Sequence, residues 1–227
     1  MCGRFTLFTD IEEIKERFDI QGSFDEEYQF SYNIAPSQSV LSVINDGVRN
    51  RLGYLRWGLI PFWATDEKAG YKMINARAET IAEKASFRNA YKKKRCLVIA
   101  DSFYEWKKTP ERKIPMRIKL KNHAPFGMAG LWESWKSPEG ISIYSCSVIT
   151  TVPNELMTSI HDRMPVILKP EDEKDWLNPS INDPAYLQQY LKSFDSEQME
   201  AFEVSTDVNS TKNNSPNLIQ QICMRGH

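Results

Sequence analysis

Strand-like runs crowd the stretch between residues 39 and 150. They are Ser39–Ile44, Val48–Leu55, Cys96–Ala100, Pro115–Leu120, Phe126–Trp132 and Ile141–Thr150. Asn45-Asp46-Gly47, between the first two, is a hairpin signal, because Gly readily takes the positive φ a tight turn needs. Only one helical pattern, Glu79–Lys93, interrupts the series. A parallel α/β sheet needs a crossover helix between nearly every pair of strands, and here most pairs lack one. No glycine-rich phosphate loop is present, so Rossmann and P-loop enzymes are excluded. The pattern predicts one α+β domain over residues 1–227: a mainly antiparallel, barrel-like sheet with peripheral helices.

The flanks supply those helices. Thr9-Asp10-Ile11-Glu12 reads as a capping box opening a short amphipathic helix, with Ile11, Ile14 and Phe18 on one face. Helices are also predicted at Pro153–Ser159, Glu171–Leu177 and Pro184–Lys192, with short strands at Pro165–Leu168 and near Ala201–Ser205.

Charge is unevenly distributed. The 227 residues sum to −1, yet residues 41–130 carry +11 while residues 1–40 carry −5 and residues 131–227 carry −7. A positive middle invites an anionic partner. The four cysteines, Cys2, Cys96, Cys146 and Cys223, lie far apart, and Cys96 and Cys146 sit in apolar strand-like runs. With only His123, His161 and His227 and no ligand spacing, no metal site is expected. The start lacks a signal-peptide pattern and no apolar run approaches the ~18–20 residues of a membrane span, so a reduced, cytoplasmic protein is expected.

Cys2 is the most informative residue. Removal of Met1 would leave one residue bearing an α-amine with pKa about 7.7–8.0 and a thiol with pKa about 8.5. Such a 1,2-aminothiol condenses with an aldehyde to an imine, and the thiol then closes a five-membered thiazolidine at high effective molarity. The plainer alternative is an incidental chain terminus. Glu105, within Ser102-Phe103-Tyr104-Glu105-Trp106, could be desolvated among aromatics and so hold a proton near neutral pH. It could equally face outward and pair with Lys107 or Lys108. His161, beside Asp162 and Arg163, is either a proton shuttle or a structural hydrogen-bonder. Asn75 and Arg77 share one face if their segment is extended; the start of a helix is the equal alternative. Tyr32–Pro36 and Trp57–Trp63 are aromatic, proline-punctuated loops of the kind that stack nucleic-acid bases when they are not simply core. The run Lys92–Arg95 reads as a solvated helix end.

Taken together, these blocks resemble the SRAP (SOS-response-associated peptidase) family. The resemblance rests on Met-Cys-Gly-Arg-Phe at the start, Tyr-Asn-Ile-Ala-Pro at 32–36, Trp-Gly-Leu-Ile-Pro at 57–61 and Asn-Ala-Arg-Ala-Glu-Thr at 75–80. Phe-Tyr-Glu-Trp-Lys at 103–107 and His-Asp-Arg-Met-Pro at 161–165 complete it. It implies a sensor of abasic sites in single-stranded DNA that crosslinks through Cys2 after Met1 is lost. By that analogy Asn75, Glu105 and His161 would assist the chemistry. Arg4 and Arg77 would hold phosphates, while Asn33, Pro36 and Trp63 would shape the path of the strand. No cofactor and no membrane partner is expected, and a monomer is. The segment Val204–Leu218 fits the family pattern more loosely. Two rival readings remain: a cysteine peptidase or N-terminal-nucleophile hydrolase limited mainly to removing its own Met1, and a non-catalytic single-strand binder indifferent to Cys2.

Overall fold

A computed structural model describes residues 2–222; Met1, Cys223 and His227 lie outside them, so expectations about those three residues do too. The strands are β1 (Phe5–Leu7), β2 (Ser31–Ile34), β3 (Ser39–Asn45), β4 (Asn50–Trp57), β5 (Asn75–Arg77), β6 (Arg95–Ala100), β7 (Ser102–Lys108), β8 (Lys113–Leu120), β9 (Phe126–Lys136), β10 (Ser142–Thr151), β11 (Met164–Pro165) and β12 (Met199–Glu203). The helices are α1 (Ile11–Arg17), α2 (Arg88–Lys93), α3 (Glu155–Thr158), α4 (Pro170–Leu177) and α5 (Pro184–Gln188). None of the described helices is long and apolar enough to cross a membrane.

Five strands close on themselves. β10 pairs with β4, β4 with β3, β3 with β6, β6 with β9, and β9 returns to β10. All of these pairs are antiparallel except β10–β4. Closure leaves no strand edge within the ring. Small residues let the barrel close tightly: a Cβ on Gly130 of β9 would sit 2.8 Å from the Cys96 sulfur. The hairpin at 45–47 forms as expected, with Gly47 at φ +94° and the Asp46 carboxylate accepting from the amides of Val48 and Arg49.

A second sheet, ordered β12-β8-β7-β1-β2, packs beside the barrel. The chain's first strand is therefore interior to this sheet, flanked by β7 and β2. Phe5 of β1 meets Trp57 of β4 with ring centroids 5.1 Å apart, joining the two sheets. Burial of such large rings contributes about 1.5–3 kcal/mol each.

Two local expectations are corrected. Glu79–Lys93 is not one helix: α2 begins at Arg88, and residues 78–87 form turns in which Ile81 and Phe87 are buried. Tertiary burial of those two side chains outweighs a modest helix preference. The cap of α1 is Asp10, whose carboxylate accepts from the Glu12 amide. Thr9 instead donates its hydroxyl to Asp101 at 2.6 Å, a charged acceptor stronger than a helix amide pairing.

Candidate functional site

β1 and β7 run antiparallel with Phe5 opposite Phe103, and the Tyr104 amide donates to the Arg4 carbonyl at 2.8 Å. Continuing that register brings Glu105 alongside the segment Cys2-Gly3. Alternation puts Phe103 and Glu105 on one face of β7, the face buried by the barrel. Glu105 is 2% exposed, so the outward-facing pairing with lysine is overturned. Burial pushes its carboxyl pKa up, and the neighbouring His161 works against that rise.

Cys2 is fully buried. Burial, and next to it the Glu105 carboxylate, raises the thiol pKa, so the sulfur stays protonated. Its main-chain carbonyl accepts from the Asn75 side-chain amide at 2.9 Å. Asn75 reaches it because β5 is extended and lies parallel to β10, with Asn75 opposite Val148 and Arg77 opposite Thr150. Thus the strand reading of 75–77 holds and the helical one does not. Asn75 Oδ1 is buried and has no hydrogen-bond partner among the described residues. Arg77, two residues on, is exposed.

His161 follows α3, and β11 just beyond it pairs with Thr150–Thr151 of β10. β10 therefore positions both Asn75, through β5, and His161, through β11. Nε2 of His161 lies 3.9 Å from Glu105 Oε2, while its Nδ1 is 2.9 Å from Asp162 Oδ1. Cys2, Asn75, Glu105 and His161 are thus gathered from four separate stretches of chain. An open cleft of about 450 Å³ leads outward from Glu105 and His161 past Trp106, Lys108, Lys113 and Asn209.

Arg4 and Asn33 meet each other. Arg4 donates to Asn33 Oδ1 and to the Val208 carbonyl, both at 2.7 Å, and its guanidinium lies 5.7 Å from the Trp106 ring centroid. The Asn33 amide donates to the carbonyls of Ser210 and Asn213. Both side chains therefore tie down residues 206–213 in this state. Pro36 sits half-buried in the turn before β3, and Trp63 is 54% exposed in the loop after β4, with Phe62 beside it. That loop springs from a close backbone crossing at Gly58, φ +129°, where a Cβ would lie 2.7 Å from the Gly70 carbonyl oxygen. No described contact joins Trp63 to Glu105 or His161.

Sequence reasoning did not single out Trp106, Asn209, Glu79 or Arg163 as part of this region. Trp106 donates its indole N–H to Asn209 at 2.7 Å, and Arg163 grips Glu79 through both guanidinium nitrogens at 2.6 and 2.9 Å. The last pair lies within the quoted blocks at 75–80 and 161–165, but nothing in their spacing shows that they touch. Among the described residues, no group of three His, Cys, Asp or Glu is placed to hold a metal ion.

The sequence profile described as SOS response associated peptidase (SRAP) matches residues 1–211. The chain is 62% identical over 222 residues to the abasic site processing protein YoqW of Bacillus subtilis (strain 168), covering 97% of this chain and 99% of that one. It is 33% identical to the abasic site processing protein HMCES of Xenopus tropicalis, covering 99% of this chain and 79% of the relative. A crystal structure of a protein from Bacteroides thetaiotaomicron superposes with a TM-score of 0.87 at 30% identity, covering 98% of this chain and all of that one. With its fold, its quoted motifs and these relatives in agreement, the chain belongs to the SOS response associated peptidase family.

Proposed function

We propose that this protein captures abasic sites in single-stranded DNA by forming a thiazolidine through Cys2 once Met1 is removed. The observation that carries the reading is the convergence of an N-terminal cysteine, its carbonyl held by Asn75, with a buried Glu105 and His161. An open-form abasic deoxyribose offers an aldehyde at C1′. The Cys2 amine adds to it, and a protonated Glu105 gives its proton to the carbinolamine hydroxyl, which leaves as water. The resulting iminium takes the Cys2 sulfur as the thiol proton passes to the Glu105 carboxylate. One water is lost, one C–N and one C–S bond are formed, and Glu105 ends protonated as it began. A raised carboxyl pKa suits that exchange near neutral pH.

An imine alone would promote β-elimination and strand breakage; ring closure by sulfur removes it. Arg77 and Trp63, both exposed, would meet the backbone and bases of the strand, with Pro36 shaping its path. Arg4 and Asn33 would reach DNA only as residues 206–213 shift. Among the described residues, Cys2, Cys96 and Cys146 are free and buried.

Intact-mass spectrometry after incubation with a single-stranded oligonucleotide bearing one abasic site tests the reading. Loss of Met1 and a denaturation-resistant adduct short of one water are expected; the same stable adduct from Cys2→Ala would sink it. Met1 retained in Glu105→Gln would make the processing self-catalysed, whereas its loss there would assign it to a host aminopeptidase.

A further inference from the structure

The two segments that carry the chemistry are bolted together away from the reacting atoms. Glu79 lies four residues after Asn75, and Arg163 lies two after His161. Besides its two bonds to Glu79, the Arg163 guanidinium donates to the Thr150 carbonyl at 2.6 Å, and Thr150 is the β10 residue paired with Arg77. The Ala78 amide donates to that same carbonyl at 2.9 Å. The Arg163 side chain is only 11% exposed, and the pairing holds the Glu79 carboxyl below its usual pKa range, first through the direct hydrogen bond.

The main chain of Arg163 reaches the imidazole. Its amide N–H points at His161 Nδ1 at 3.1 Å, while Asp162 Oδ1 approaches the same nitrogen at 2.9 Å. Nδ1 therefore faces both the Arg163 amide and the Asp162 carboxylate, which fixes the orientation of the ring and leaves Nε2 as the atom turned toward Glu105.

We propose that Glu79 and Arg163 are positioning residues, an ion pair that fixes the His161 imidazole against Glu105 and locks that loop to the strand bearing Asn75. This rests on the crosslinking reading above. Neither residue touches the reacting atoms through its side chain; both act through His161. The bidentate fork matters as well as the charge, because only a guanidinium can span both Glu79 oxygens and the Thr150 carbonyl.

Single-turnover crosslinking to an abasic oligonucleotide, with rate, amplitude and half-saturating DNA concentration measured separately, tests this. Glu79→Gln and Arg163→Lys should each slow the rate at saturating DNA by about tenfold, with half-saturation unchanged. A pair that merely tuned attraction for phosphate would behave otherwise: Glu79→Gln would tighten binding and Arg163→Lys would leave the rate intact. A misfolded fraction would lower the amplitude and spare the rate constant. In a His161→Asn background, Glu79→Gln should add no further slowing. A full rate for Glu79→Gln, or equal slowing with and without His161, overturns the proposal. Absence of any adduct from the unaltered protein is a different result, which removes the crosslinking function itself and this role with it.

Discussion

The side-chain amide of Asn75 donates to the main-chain carbonyl of Cys2 at 2.9 Å, across 73 residues of sequence. That bond holds the start of the chain in place against the buried carboxyl of Glu105. It makes Cys2 part of the fold rather than a loose end. Each residue around it carries a consequence that can be measured.

Asn75→Ala removes the donor, and the adduct rate should fall roughly tenfold or more. The cost to the fold should be only about 1 kcal/mol, the worth of one hydrogen bond. Asn75→Asp should be slower still, because a carboxylate oxygen would face the Cys2 carbonyl. Rates measured by gel shift under denaturing conditions decide it, and an Asp variant faster than the Ala variant would count against the arrangement.

Glu105→Gln should abolish most of the crosslinking rate while stabilising the protein at neutral pH by on the order of 1 kcal/mol. Burial raises the folded-state pKa of Glu105 above its unfolded value. Its contribution to stability is therefore fully present below the ordinary carboxylate range and is lost as pH rises through the raised folded value. The melting-temperature advantage of the variant should shrink on acidification from about pH 8 to about pH 4. An advantage that ignores pH would contradict the assignment.

Arg77→Ala should weaken binding to undamaged single-stranded DNA and lower the slope of log affinity against log salt by about 1, the signature of one lost phosphate contact. Trp63→Ala should weaken binding while leaving that slope alone, because stacking releases no counterions. Both side chains are exposed, so thermal stability should stay within about 0.5 kcal/mol of the parent. A titration in which the two variants share one salt dependence would remove the distinction.

Arg95 tests the scaffold apart from the site. Its guanidinium is buried and donates to the carbonyls of Tyr91, Lys92, Trp176, Asn178 and Ile181, tying α2 to the end of α4. Arg95→Leu would strand those carbonyls and should cost about 3 kcal/mol, read as a lowered denaturant midpoint. The crosslinking rate of the folded fraction should be unchanged. A variant as stable as the parent would show that water replaces the guanidinium freely.

Local pattern carried much of the fold. Strand-like apolar runs marked β3, β4, β6, β8, β9 and β10; all but β8 form the closed barrel, whose strands must be apolar on their core side whatever their partners. The short strands β1 and β2 and the longer β7 were not legible as strands, and β5 was legible only as one of two readings. Phe5–Leu7 and Asn75–Arg77 span three residues each, too few for a period to register, and they become strands only because β7 and β10 supply their hydrogen bonds. Glu105 was misleading in isolation for the same reason: flanking lysines suggested an outward side chain, and the pairing of β7 with β1 decided otherwise.

The residue types able to do the chemistry, a cysteine at position 2, an amide, a carboxyl and an imidazole, and the positive charge of the middle of the chain are properties of the sequence itself. So is the antiparallel, barrel-forming pattern. Their convergence is not. Cys2 and His161 come from the acidic flanks, and Asn75 and Glu105 from the basic middle. They meet because β1 inserts between β2 and β7, and β10 pairs with both β5 and β11. Contacts across so many residues are set by strand pairing and by burial in a shared core, which no local pattern encodes. The same pairing buries Glu105, and that loss of water raises the pKa of its carboxyl, which a surface carboxylate beside lysines would not show.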